Sequence, residues 1–393
     1  MNPTFSNWSG LITSEPEKIL SIANIDQAKE AVNYAQEKDL RIRTVGATHS
    51  HSPLFTNDGG MIITTDELIG PITVDEEKQT VTIPAGIKLK MATRELWENG
   101  FSFTNQGDVD VQSIAGLIAT GVHGTGITHP SISSHVRDVS ILTAGNTRIR
   151  ASDNYETLEA ARLNLGVLGI VLDATFSVTP RFYLHEHNWQ ENIDDLVARL
   201  DALVDENDHF EFFWNVDGLE TAYAKTLNPH EGPPDPLPEL KGQYVDRAHI
   251  VFPSERTMKH TEMEYSVPFE SGLECFQKIS TLIREGKHNI LWPVEYRTVA
   301  PDNGWISPAR DRKTVTISVH QGTGEPHEPF FREAEQIFLS YDGRPHWGKV
   351  HYLDREQLSG IYGDGWEKFW DVQRKLDPKG VFVNEYMQSL KPR

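Results

Sequence analysis

Two glycine-rich stretches constrain this chain more than anything else in it: residues 43–52 (RTVGATHSHS) and residues 110–126 (DVQSIAGLIATGVHGTG). Each lies among β-type sequence, is short of acidic charge at its core and is rich in Gly, Ser, Thr and His. A loop of this composition can turn its backbone N–H groups inward and hold a phosphate. Two such loops meeting at one place suit a pyrophosphate, and so a dinucleotide cofactor. His49, in the middle of the first loop, then stands beside the cofactor's ring system. The second stretch ends G-x-x-G-x-G (Gly121, Gly124, Gly126). A nicotinamide-binding Rossmann site wants G-x-G-x-x-G directly after a first strand and an acid about twenty residues on, and that pattern is absent.

At 393 residues the chain suits two domains. Its 57 acidic against 37 basic residues give a net charge of −20, which argues against a nucleic-acid or anionic-membrane partner, since either needs a basic face. A lone Cys275 builds neither a disulfide nor a thiolate metal site. The start MNPTFSNWSG has no basic region followed by an apolar run, and no apolar run reaches the roughly 18 residues of a membrane span. The expectation is a cytoplasmic protein, with oligomeric state left open.

The pattern predicts a helix over 24–38, capped by Asn24 with Gln27 three residues on and with Ile25, Ala28, Val32 and Ala35 on one face. Strands are expected at 40–45, 61–65, 80–83, 139–143 and 147–151, the last two around a Gly-Asn turn. A helix is expected at 89–98, stopping at Gly100. The run 165–178 (LGVLGIVLDATFSV) reads as one buried strand. After Pro180 the chain is richer in Trp, Phe, His and acids, and its proline-dense stretch 228–240 reads as a surface excursion.

Chemistry-bearing residues cluster late. Glu295 and Arg297 are two apart in VEYRTVA, so on a strand both share one face. Ser318 and His320 share a face in TVTISVHQ. Lys349 follows His346 and Trp347 in RPHWGK. His49 and His51 form an H-x-H pair, but zinc or iron needs further ligands at matched distance. His123 and His129 are candidates with no fixed geometry, and no metal is expected.

Together these segments resemble the vanillyl-alcohol-oxidase-type (PCMH) FAD oxidoreductases, in the branch of alditol oxidase and the sugar-1,4-lactone oxidases (gulonolactone, arabinonolactone). The resemblance runs nearly end to end: NWSG at 7–10, VGATHS at 45–50, SIAGLIATGVHGTG, LGVLGIV at 165–171, EYRTVA at 295–300, RPHWGK at 344–349 and LDPKGVFVN at 376–384. It implies an α+β, two-domain fold: an FAD-binding domain over 1–180, an α/β substrate-capping domain over 181–345, and a C-terminal segment, 346–393, returning to the FAD domain.

The resemblance further implies that Thr44, Val45, Gly46, Ala47, Thr48, His49 and Ser50 wrap the FAD pyrophosphate, with His49 joined covalently to the flavin. Asp108, Ser113, Gly116 and Thr120, then Gly121 and His123, line the pyrophosphate and flavin. Val171 holds the adenine end through its backbone. Lys349 lies near the flavin and the reacting hydroxyl, and Glu295 and Arg297 face the substrate with Ser318 and His320. The implied reaction is hydride transfer from a polyol, sugar or lactone to the flavin, with molecular oxygen reduced to hydrogen peroxide. Arg297 and Lys349 stabilise the developing alkoxide, Glu295 orients Arg297, and His320 takes the proton. Alditol oxidases carry His then Thr where this chain has Ser318 and His320, which shifts the histidine two residues along the strand. Gly107 stands where some relatives have an alanine that obstructs oxygen, so oxygen is the expected acceptor. The alternatives are a dehydrogenase using a quinone or cytochrome, or a carbohydrate- or metal-binding protein on the same scaffold.

Overall fold

The expected first helix forms as α1 (Ile25–Glu37), with Asn24 Oδ1 accepting the Gln27 N–H at 3.0 Å and Ala28, Ala31, Val32 and Ala35 buried. In this computed structural model residues 3–216, 218, 220–233, 241–255 and 257–392 are described. Strands β1 (Lys18–Ser21), β2 (Ile42–Val45) and β3 (Met61–Thr64) form a parallel sheet with β3 in the middle. Parallel neighbours need a crossover, and α1 lies in the segment between β1 and β2.

Strands β4 (Thr73–Asp75), β5 (Thr80–Pro84), β6 (Val136–Leu142), β7 (Arg148–Arg150) and β8 (Ile170–Ser177) form an antiparallel sheet in the order β7-β6-β8-β5-β4. Between β5 and β6 lie α2 (Leu89–Glu98) and α3 (Ile114–Thr120). Ser113 caps α3 by accepting the Gly116 N–H, and Gly121 ends it in the left-handed conformation at φ +69°.

The expected strand over 165–178 is shorter than its apolar run suggests. Residues 165–169 are a loop, and β8 starts at Ile170. Leu165, Gly166 and Gly169 all have positive φ, a region a strand cannot use. The buried guanidinium of Arg43 holds the loop by donating to the carbonyls of Leu165 (2.8 Å) and Gly166 (2.9 Å). Burial in an apolar surround is compatible with a loop when its carbonyls are captured in this way.

The second half of the chain builds an eight-stranded antiparallel sheet. Its strands are β9 (Tyr183–Asn192), β10 (His209–Asn215), β11 (Thr221–His230), β12 (Gln243–Arg247), β13 (His260–Pro268), β14 (Val294–Val299), β15 (Thr314–Gly322) and β16 (Arg344–Pro345). The order across the sheet is β12-β9-β11-β10-β14-β15-β13-β16. Asn228–His230, expected in a surface excursion, are instead the end of β11, paired with Tyr183–His185. Residues 234–240 lie outside the described part.

Helices α4 (Gly272–Arg284) and α5 (Glu328–Ser340) cover one face of this sheet. The apolar alternate positions face them: Tyr265 stacks on Phe338 at 5.0 Å, and Tyr296 meets Phe276 edge-on. By the period-two rule the polar positions, Glu262, Glu264, Glu295, Arg297, Ser318 and His320, share the other face, which is turned to the glycine-rich loops. The chain's end clasps the first of these loops. Arg43 also donates to the Phe382 carbonyl at 2.9 Å, and the Asn384 side chain donates to the carbonyls of Pro53, Leu54 and Thr56.

Candidate active site

The loop after β2 is shaped by contacts that only this sequence permits. A Cβ on Gly46 would fall 1.9 Å from Ser113 Oγ, so glycine is what lets the loop touch the N-cap of α3. Thr48 takes φ +51°, a costly conformation for a β-branched residue. The N-terminal NWSG segment holds it there. Trp8 N–H donates to the Thr48 carbonyl at 2.9 Å, Asn7 Nδ2 donates to the Ser50 carbonyl at 3.0 Å, and the Trp8 indole stacks on the His49 ring at 5.0 Å. From the other side, His51 N–H donates to the Gly348 carbonyl at 2.7 Å.

These loops enclose one side of a cavity of about 600 Å³; the polar face of the eight-stranded sheet closes the other. Thr44–Ser50, Asp108, Ser113, Gly116, Thr120, His123 and Val171 all line it, as do Glu295, Arg297, His320 and Lys349. Gly121 and Ser318 do not. Gly121 packs against Leu163, and Ser318 lies one layer behind, donating to Glu264 Oε2 at 2.8 Å. The two glycine-rich stretches therefore converge, as a pyrophosphate requires. Gly46 and Gly116 supply the close backbone approach, and the serine and threonine hydroxyls supply donors. The residues fit a bound FAD.

Two buried carboxylates organise the sheet face, and neither is among the residues singled out from the sequence. Glu264 Oε1 accepts from His123 Nε2 at 2.7 Å, while Oε2 accepts from Arg297 Nη2 at 2.5 Å and from Ser318 Oγ. Burial alone would raise this carboxyl, but the charges of His123 and Arg297 hold it well below the usual range. His123 Nδ1 lies 2.8 Å from the Gly124 carbonyl, so both its ring nitrogens face acceptors.

Glu262 receives the Lys349 ammonium on Oε2. Around it stand His51 at 3.9 Å, His260 at 3.8 Å and His320 at 3.6 Å. Burial opposes its ionisation, and Lys349 and His320 overcome that opposition, holding the carboxyl well below its ordinary value. A legible signal did exist in HTEMEYSVP: polar His260, Glu262, Glu264 and Ser266 alternate with apolar Met263, Tyr265 and Val267, as on a strand with one wet face.

Arg297 also lies 3.4 Å from Glu295. Burial would lower its pKa, but Glu295 and Glu264 raise it above the ordinary value, so its charge is fixed. At the far edge Lys225 bridges Glu211 at 2.5 Å and Asp108 at 3.7 Å, and burial with the nearby Asp108 pushes the Glu211 carboxyl up to about 7. Burial, aided by Lys349, pushes His49 down to about 4, so its ring is neutral and carries a free lone pair. The cavity thus presents two fixed cations, Arg297 and Lys349, each backed by a buried carboxylate. Such preorganised charge stabilises a developing oxyanion.

Comparison with known proteins follows the same line. Residues 174–243 and 235–390 match the family described as D-arabinono-1,4-lactone oxidase, and residues 16–152 match the FAD binding domain family. L-gulono-1,4-lactone dehydrogenase of Mycobacterium tuberculosis is 34% identical over 429 residues, covering 99% of each chain. L-gulonolactone oxidase of Mus musculus is 26% identical over 432 residues, covering 98% of each. Cholesterol oxidase from B. sterolicum shares the fold, with a TM-score of 0.86 at 19% identity over 100% of this chain and 97% of that one. No helix among the described residues is long and apolar enough to cross a membrane.

Proposed function

The chain belongs to the D-arabinono-1,4-lactone oxidase family of FAD-binding oxidoreductases, and from that premise we propose that it oxidises a secondary or primary alcohol of a sugar lactone, sugar or alditol, with oxygen as the electron acceptor. The observation that carries this reading is the pairing of Arg297 with Glu264 and of Lys349 with Glu262 on the sheet face opposite the glycine-rich loops. Both cations point into the cavity that those loops help to enclose.

Bound FAD supplies a two-electron acceptor for the hydride of the alcohol carbon. Residues 44–50, Ser113, Gly116 and Thr120 would hold it, and His49, in the middle of that loop, would be its point of covalent attachment. Arg297 and Lys349 bind the reacting oxygen and stabilise the negative charge that grows on it. Glu295 orients Arg297 and accepts a hydrogen bond from a neighbouring substrate hydroxyl. His320 takes the hydroxyl proton. Its Nδ1 lies 2.8 Å from the Pro293 carbonyl, and its Nε2 lies at the cavity wall 3.6 Å from Glu262 Oε1. A pocket built from these buried polar groups rejects analogues that lack the matched hydroxyls, because each would leave a partner unpaired.

The oxygen reading draws on Gly107, which lines the same cavity and packs against the 122–123 loop. The second reading, a dehydrogenase passing electrons to a quinone or cytochrome, draws on the name of the 34%-identical mycobacterial relative. One experiment separates them. Anaerobic enzyme is mixed with a panel of aldonolactones, aldoses and alditols, and the visible flavin band is followed. Bleaching by one class, with prompt recovery and peroxide on admitting air, is expected. Bleaching that recovers only with a quinone or cytochrome replaces the oxidase by the dehydrogenase. No bleaching by any of the three classes overturns the carbohydrate assignment.

A further inference from the structure

We infer that Trp292 is a specificity residue that touches the substrate: its indole covers the C–H face of a closed sugar or lactone ring and gives an open-chain alditol no matching gain. The inference deepens the proposed function and rests on its carbohydrate reading.

Consecutive residues at the end of β15 set this side chain. His320 Nδ1 lies 2.8 Å from the Pro293 carbonyl, and Gln321 Nε2 donates to the Asn289 carbonyl at 2.8 Å. The loop 289–293 is therefore pinned on both sides of Trp292. Gly322 makes room for the indole, since a Cβ there would fall 2.9 Å from Trp292 Nε1. His260 packs against the ring at 4.9 Å, and Trp8 meets His260 edge-on at 5.4 Å. Trp8 in turn stacks on His49. An aromatic wall thus runs from the proposed point of flavin attachment to Trp292, in the same cavity as Glu262, Arg297 and Lys349.

Core packing does not account for this residue. Trp214, Trp347, Trp366 and Trp370 are fully buried, whereas Trp292 is only half-buried and lines the cavity. Leu291 and Met258, which line it too, are 59% and 69% exposed. A rigid aromatic plate left wet at the edge of a polar cavity is a contact surface for an apolar face. A carbohydrate has a fixed face of that kind only when its ring is closed. Its hydroxyls then radiate from the rim towards hydrogen-bonding partners, and its C–H bonds collect on the ring faces. An open-chain alditol must freeze several torsions to present such a face, and that entropy offsets the gain. Because β15 fixes the plate in advance, the protein side loses little freedom on binding.

The test uses the flavin-loaded enzyme under anaerobic conditions, with an aldono-1,4-lactone and the alditol of the same carbon number as probes. The dependence of the bleaching rate on donor concentration separates half-saturation from limiting rate. Trp292→Leu is expected to raise the half-saturating lactone concentration about tenfold, more than it lowers the limiting rate, and to raise that of the alditol by no more than about twofold. Trp292→Phe, which keeps a flat ring, is expected to recover most of the lactone affinity. Gly322→Ala keeps the tryptophan but displaces it, and is expected to weaken the lactone in the same way, so the test survives a poorly folding Trp292→Leu. Equal shifts for lactone and alditol, or a fall in limiting rate alone, overturn the inference, because Trp292 would then act on the flavin or on His320. Wild-type bleaching by the alditol alone also overturns it and leaves the carbohydrate reading standing. A wild type that bleaches with neither probe overturns both.

Discussion

The Glu264 carboxylate reaches past an intervening strand to Arg297: Oε2 accepts from Nη2 at 2.5 Å although β13 and β14 are separated by β15. Ser318 fills the gap, donating to the same oxygen. This explains why a serine suits position 318, where alditol oxidases are expected to carry histidine. A larger side chain there would stand between the acid and the guanidinium. The histidine of this chain sits two residues on, opposite Glu262 in the β13–β15 register.

Removing Glu264 leaves Arg297 and His123 buried without their shared counter-charge. Breaking one partner of such a pair costs about 3–5 kcal/mol. Glu264→Ala is therefore expected to lower the urea midpoint by that equivalent. Glu264→Gln, which keeps an oxygen for Arg297, is expected to fold better but to lose rate because the cation is less firmly placed. Equal stability of wild type and Glu264→Ala would show that the network is not a structural tie.

Arg297→Ala and Lys349→Ala each remove one preformed cation. Loss of one such donor typically costs about 10²–10³ in rate. Stopped-flow bleaching with the best substrate, read against the wild type, checks this directly. Near-normal rates in both variants would place the reacting hydroxyl elsewhere in the cavity.

Much of this site was legible and part was not, for a physical reason. The two loops announce themselves because glycine and hydroxyl residues are needed wherever a backbone approaches a phosphate. Glu295 and Arg297 were found because a charged pair two residues apart stands out on a strand. Glu262 and Glu264 were passed over: their partners, Lys349, His123 and Arg297, come from three distant segments, so sequence spacing carries no sign of the pairing. The strand at 170–177 was overextended because the apolar run hides a loop whose carbonyls are taken up by Arg43. That capture is a tertiary event, and periodicity cannot register it.

Attachment through His49 has a simple readout. Wild-type protein precipitated in acid is expected to keep its yellow colour in the pellet, and His49→Ala to release it to the supernatant. Release from the wild type as well would reduce His49 to a loop residue stacked on Trp8.

Buried neutral histidines set an acid limit to stability. Burial pushes His351 down to about 4 from an ordinary 6.5. Between these values the unfolded chain binds a proton that the folded one refuses. The contribution is therefore complete above pH 6.5 and is lost as pH falls towards 4, by at most about 1.4 kcal/mol per pH unit. Urea midpoints measured from pH 7 to 4.5 should fall, and fall less steeply in His351→Gln. An unchanged slope in the variant would assign the acid sensitivity to other groups.

Under the proposed function, Gly107 bears on what reoxidises the flavin. A Cβ built there lies 3.0 Å from both the His123 carbonyl oxygen and Val122 Cγ1, closer than comfortable van der Waals contact. The carbonyl belongs to the loop that holds His123 against Glu264, so it has little freedom to yield. The added methyl must then displace the 105–108 segment or fill the adjoining part of the cavity, and either narrows the space for oxygen. Gly107→Ala is expected to bleach with substrate at close to the wild-type rate and to recover in air at least about tenfold more slowly, while a small artificial acceptor still restores it. The two half-reactions, followed separately in a stopped-flow cell, distinguish this from general damage, which slows both. Equal reoxidation of variant and wild type by oxygen would mean that oxygen reaches the flavin by another route, and the glycine would then be explained by its contact with the 122–123 loop alone.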